Sequence, residues 1–218
     1  MKKNALFTTF ILAISLLTFT EKAAAQDREV LFNGKDLSNW EFVVEGNQAD
    51  PAQVYSIKDS VIHILGSPLG YMYTKKQYDN FHLHVEWKWP NGVESNSGIF
   101  VLIEEPKNPF PNGIECQLKA GDAGDFVLLG GSDLAEFKIQ EGTPRPKFPV
   151  VKKANESSEK PAGEWNEAEI YCTDGVVTVY INGVFQNRGT NKIKKGHIGL
   201  QSEGKDVEFQ NVLLTPLP

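Results

Sequence analysis

One run constrains this chain more than any other: Phe81-His82-Leu83-His84-Val85-Glu86-Trp87-Lys88-Trp89 alternates apolar and polar residues without a slip. A period of two is the pattern of a half-buried strand. It sets Phe81, Leu83, Val85, Trp87 and Trp89 on a core face and His82, His84, Glu86 and Lys88 on the opposite one.

Short strand-like segments recur on both sides of that run. The pattern predicts strands at 57–65, 98–103, 114–119, 125–129, 167–172, 176–181, 197–201 and 207–214. Between them stand turn signals: Pro90-Asn91-Gly92, Pro111-Asn112-Gly113, Asp174-Gly175 and Asn182-Gly183. Segments 167–172 and 176–181, joined through Asp174-Gly175, read as a hairpin. No stretch carries helical periodicity, so the expectation is an all-β sandwich, jelly roll or barrel. Two stretches break the rhythm. Residues 104–111 hold Pro106, Pro109 and Pro111, and proline removes ladder donors. Residues 140–163 hold Pro144, Pro146, Pro149 and Pro161, and an irregular stretch of that length in a compact domain is usually a functional loop or a disordered one.

The chain opens with Lys2 and Lys3, an uncharged run from Ala5 to Thr20, and then Ala23-Ala24-Ala25. This is the layout of a secretory signal peptide cleaved before Gln26, the run being short for a membrane span. The expectation is a leader over 1–25 and one domain over 26–218, with a periplasmic, cell-surface or secreted location and no integral membrane segment after cleavage. No lipobox cysteine lies near the cleavage region. Without residues 1–25 the chain carries 19 basic against 27 acidic residues, a formal charge of −8. Such a surface offers no electrostatic footprint for nucleic acid and is repelled by anionic membranes. Cys116 and Cys172 lack metal-type spacing. They read as buried thiols acting as small hydrophobes, with a disulfide as the alternative that an oxidising compartment permits.

Strand parity also nominates polar residues that share a face. In Gly113-Ile114-Glu115-Cys116-Gln117-Leu118-Lys119, the apolar residues take one side and Glu115, Gln117 and Lys119 the other. In 197–201, Ile198 and Leu200 face the core while His197 and Gln201 face outward. With His82, His84, Glu86 and Lys88, three strands offer acids, amides and imidazoles away from the core. If those faces coincide on a concave sheet they form a polar groove, which suits saccharide hydroxyls. The competing expectation is the ordinary wet face of an antiparallel sheet. His82 and His84 share a face as two metal ligands would, but without an acidic partner at short spacing no metal or cofactor is expected.

Several motifs together resemble one family. They are Leu31-Phe32-Asn33-Gly34-Lys35-Asp36-Leu37-Ser38-Asn39-Trp40, Asn96-Ser97-Gly98-Ile99-Phe100, Gly113-Ile114-Glu115-Cys116-Gln117-Leu118, Gly163-Glu164-Trp165-Asn166, Val179-Tyr180-Ile181-Asn182-Gly183, Gly196-His197-Ile198-Gly199-Leu200-Gln201 and Val207-Glu208-Phe209-Gln210-Asn211-Val212. In that order they resemble the 3-keto-disaccharide hydrolase domain, once a domain of unknown function. The resemblance implies a concanavalin A-like jelly roll of two antiparallel sheets and a carbohydrate-active enzyme cleaving 3-keto-glycosides. A ketone at sugar carbon 3 acidifies the hydrogen on carbon 2, so a base can remove it, the aglycone leaves carbon 1, and water adds to the enone. On that reading Glu115, Glu86 and His197 are the catalytic candidates, and Gln117, Lys119, Lys88, Gln201 and Asn96 bind substrate. Cys116 stands where the family has an aromatic residue, on the core-facing side. The Glu-x-Asp-x-x-Glu pattern of the glucanases sharing this fold is missing. The alternative from a different class is a lectin-like module that holds saccharide without chemistry.

Overall fold

A computed structural model describes residues 28–218; the expected leader and its cleavage site before Gln26 lie outside the described residues. Fifteen strands follow one another: β1 Glu29–Val30, β2 Trp40–Val44, β3 Tyr55–Lys58, β4 Val61–Ile64, β5 Gly70–Thr74, β6 Phe81–Lys88, β7 Gly98–Ile103, β8 Gly113–Gln117, β9 Phe126–Leu129, β10 Val150–Val151, β11 Asn166–Thr173, β12 Val176–Ile181, β13 Val184–Thr190, β14 His197–Ser202 and β15 Val207–Pro216. An eight-stranded sheet runs β13-β12-β11-β6-β15-β4-β3, with β1 added on β15. A seven-stranded sheet runs β10-β9-β8-β7-β14-β5-β2. The pairings are antiparallel throughout, as the expected jelly-roll sandwich requires.

The core lies between the sheets and is built from alternate residues of each. On β6, Phe81, Leu83, Val85 and Trp87 are fully buried, and Trp89 follows them inward. From the facing sheet come Met72, Ile99, Val101, Ile114, Cys116, Phe126, Ile198 and Leu200. Cys116 and Cys172 are free thiols in this core. Burial pushes the Cys172 thiol up to about 12, so neither cysteine is a poised nucleophile.

Three expectations need amending. The strand expected over 57–65 is a hairpin, β3–β4, because Asp59 and Ser60 both take positive φ and turn the chain back. A one-turn helix, α1 (Pro51–Val54), stands where no helix was expected; Asp50 caps it by accepting from the Ala52 amide, and Pro51 starts it. Strands β2, β5 and β13 carried no period-two signal. In β5 the reason is plain: every residue of Gly-Tyr-Met-Tyr-Thr is buried, so no polar face exists to alternate with the apolar one.

That double burial exposes an unusual feature of the seven-stranded sheet. Its outer face carries a second apolar cluster of Tyr71, Tyr73, Phe100, Ile103, Val127 and Leu129, with Phe110 and Phe148 packed against it. These last two residues come from the two proline-interrupted stretches, which therefore fold back over the sheet as cover.

Candidate active site

Glu115 leaves β8 between two core residues, Ile114 and Cys116, so its carboxyl projects onto that covered outer face. It is 3% exposed, and its Oε1 has no hydrogen-bond partner. Across the β7–β8 ladder Glu115 stands opposite Phe100, and its carboxyl finds room over the diagonal neighbour Gly98, which pairs with Gln117. Burial drives the Glu115 pKa well above the usual carboxylate range, and the nearby charge of Glu203 drives it further.

Glu203 arrives just beyond β14, where it bridges to Asn96. It continues the outward parity of His197, Gly199 and Gln201. The Gln201 side-chain amide donates to Glu203 Oε2 at 2.9 Å. Burial raises the Glu203 pKa, and the Gln201 bond pulls against that rise. A pocket of about 240 Å³ opens here, with Asn96, Glu115, Gln117 and Glu203 as its polar lining and Phe110 and Phe148 among its apolar walls.

The amides around the pocket are oriented by their other bonds. Gln117 Oε1 accepts from the Leu118 and Lys119 backbone N–H groups, which leaves its NH2 as the free donor. Gln201 spends its NH2 on Glu203, so its Oε1 remains, buried and unpaired. Asn96 Oδ1 is likewise buried and unpaired, as is the hydroxyl of Tyr71, the residue directly opposite Gln201 in the β5–β14 ladder. Two of these unpaired atoms, on Glu115 and Asn96, belong to residues that line the pocket, whereas Gln201 and Tyr71 lie behind it.

The sequence-derived residues divide by sheet. Glu115, Gln117, Gln201, Asn96 and His197 all belong to the seven-stranded sheet or its immediate connections. His197 stands toward the other end of β14: its Nδ1 faces the Thr74 carbonyl at 2.6 Å and must therefore carry the proton, leaving Nε2 to accept from Gln77. Its ring meets Tyr73 edge to face, and it does not line the pocket. Lys119 lies past the end of β8, paired with Asp122 at 3.2 Å and turned away from the pocket.

Glu86 and Lys88 are a correction. They sit on β6, in the middle of the other sheet, and both sheets turn their apolar faces to one shared core. Side chains pointing away from that core therefore leave on opposite sides of the sandwich, and the groove expected from three strands does not form. Glu86 accepts from Gln210 and Asn211, and Lys88 pairs with Glu208 at 2.7 Å. His82 and His84 share that remote face, both bonded to Glu169. Among the described residues no group of three or more His, Cys, Asp or Glu side chains is arranged to hold a metal. The second carboxylate near Glu115 is Glu203, which strand parity, continued two residues past Gln201, could have nominated.

Residues 27–215 match the family described as the 3-keto-alpha-glucoside-1,2-lyase-like domain. The chain belongs to this family. A relative from Bacteroides thetaiotaomicron, named 3-keto-disaccharide hydrolase, is 24% identical over 84% of this chain and 76% of its own length. A crystal structure of a proposed glycosyl hydrolase from Parabacteroides distasonis superposes on the lyase-like domain with a TM-score of 0.65 and 24% identity, covering 91% of this chain and 98% of that one. A carbohydrate-binding module of Bacillus subtilis shares the fold at a TM-score of 0.56 and 9% identity, over 81% of this chain and 95% of that one. The lyase-like domain is thus a carbohydrate-active, glycosyl hydrolase-like jelly roll.

Proposed function

We propose that this lyase-like domain cleaves 3-keto-glycosides by elimination across carbons 1 and 2, with Glu115 and Glu203 as an acid–base pair. The observation that carries the reading is the buried, unpaired Glu115 carboxyl beside a second, less buried carboxylate in one sugar-sized pocket. Two carboxyls in unlike environments take unlike protonation states. Burial, and then the charge of Glu203, push the Glu115 pKa well above the ordinary carboxylate range, so of the two it is the better proton donor. Glu203, which accepts from Gln201, is the one that ionises first.

The roles follow. Glu203 removes the proton from carbon 2, made acidic by the adjacent ketone. The C–H electrons form the C1=C2 double bond as the C1–O bond breaks, and Glu115 gives its proton to the departing oxygen. The Gln117 NH2 is placed to donate to the carbon 3 oxygen as its charge grows. The unpaired oxygen of Asn96 accepts from a ring hydroxyl, while Gln201, fully buried behind the pocket, positions Glu203. Water then adds to the enone and restores a 3-keto sugar.

A binding module would have no use for a carboxyl whose pKa burial pushes up in this way. The purified domain, incubated with 3-keto-disaccharides and their unoxidised counterparts, is expected to release monosaccharide from the keto forms only. Binding of both without release would replace the enzyme by the lectin-like reading. The leader pattern at 1–25 supports an exported protein, and detection of the mature chain starting at Gln26 outside the cytoplasm tests that.

A further inference from the structure

Beside the Glu115 pocket lies a second, larger one of about 420 Å³, lined by Asn108, Phe110, Gly130, Gly131, Lys147 and Phe148. The two share Phe110 and Phe148, whose rings stand as the threshold between them. The outer chamber has no carboxylate in its lining, and its one ionisable side chain is Lys147.

The two phenyl rings are held, not loosely draped. Their centroids lie 4.6 Å apart at 50°. The Phe110 amide donates to Asn108 Oδ1, and Glu104 bonds back to Asn112 to close the loop. Gly130, at the tip after β9, packs so closely on this loop that a Cβ there would stand 2.4 Å from the Asn112 nitrogen. On the other side, Leu128 donates to the Pro149 carbonyl and β10 pairs with β9 immediately after Phe148. Two proline-interrupted loops thus set one rigid aromatic wall before any ligand arrives.

We propose that this outer chamber is the leaving-group subsite, and that it takes a pyranose ring stacked by its C–H face on Phe110 and Phe148. The proposal rests on the reading of Glu115 and Glu203 as the reacting centre. A pocket of about 240 Å³ holds little more than one ring, which places the second ring of a disaccharide over the shared threshold. Aromatic faces supply contact to the C–H side of a sugar. The rim supplies donors for its hydroxyls: the Asn108 NH2, left free because Oδ1 serves Phe110, and the Lys147 ammonium, held 5.0 Å from the Phe148 ring centre.

Comparison of kcat/KM for a 3-keto-disaccharide and for methyl 3-keto-glucoside tests it in wild type, Phe148→Ala and the milder Phe148→Leu. Loss of about tenfold or more on the disaccharide, carried by KM, is expected for Phe148→Ala, with a clearly smaller loss on the methyl glycoside, whose single ring meets Phe148 only as one wall of the inner pocket. Phe148→Tyr, which keeps the ring, restores the disaccharide rate. An aryl 3-keto-glucoside losing rate while the disaccharide does not would reassign the chamber to a flat aromatic aglycone and overturn the proposal. Equal loss on all substrates, or none, overturns it too. Should wild type cleave no keto-glycoside, the reacting-centre reading fails, and calorimetric binding of the disaccharide against the methyl glycoside still reads the chamber: a Phe148 variant that binds both as wild type does refutes it.

Discussion

Gly98 faces the Glu115 side chain so closely that a methyl group on its α-carbon would lie 2.5 Å from Oε1 and 2.9 Å from Cδ. The glycine is there for the carboxyl. Gly98→Ala is expected to displace the acid while leaving the β7–β8 ladder intact, since the backbone at this position is not in the left-handed region. A misplaced catalytic group costs on the order of 10²-fold in rate. Steady-state kinetics with a melting curve check it: kcat falls while cooperative unfolding persists.

Glu115 is also expected to cost stability. Its folded pKa lies above its unfolded one, so the folded state binds the extra proton; stability is fullest below the ordinary carboxylate range and falls as pH rises from there through the raised value. Glu115→Gln removes the titration. It is expected to gain about 2–4 °C in Tm at neutral pH, what ~1 kcal/mol gives in a chain of this size, and less at pH 4. Turnover drops by about 10²–10⁴-fold in the same variant. A Tm difference independent of pH would contradict this assignment.

The rate profile carries the same signature. Glu203 must be ionised and Glu115 protonated, and both pKa values are raised. Activity is expected as a bell whose acid limb lies above the usual carboxylate range, with the two limbs belonging to the coupled pair rather than to either residue. In Glu203→Gln the acid limb disappears along with most of kcat. A profile flat down to pH 4 in the unaltered enzyme would rule the pair out.

Glu86 gives the contrast. Glu86→Gln on the far sheet is expected to leave kcat/KM within about twofold and to cost at most about 1 kcal/mol, through its weakened bonds to Gln210 and Asn211. Glu203→Gln, only one charge different in chemistry, should abolish most activity. Parallel assays of the two variants at equal folded concentration decide between the sheets.

The sandwich itself was legible along the chain. Alternation in 81–89 named its core face residue by residue, and Asp174-Gly175 named the β11–β12 hairpin. Glu115 and Gln117 are legible the same way, because they alternate with Ile114, Cys116 and Leu118, which go to the core. Where both faces are buried, as in β5, the pattern vanished, and Tyr71 was missed with it.

What local sequence determined, then, is which residues of one strand share a side, for that follows from the pleat alone. Which sheet a strand joins is decided by pairing with residues far along the chain. Glu86 and Glu203 each lie outward on their own segments, yet β6 pairs with β11 and β15, whereas β14 pairs with β5 and β7. Only that long-range pairing puts Glu203 beside Glu115 and sends Glu86 to the far side, and only the folding of two proline-interrupted loops onto the sheet turns an outward carboxyl into a buried one with a raised pKa.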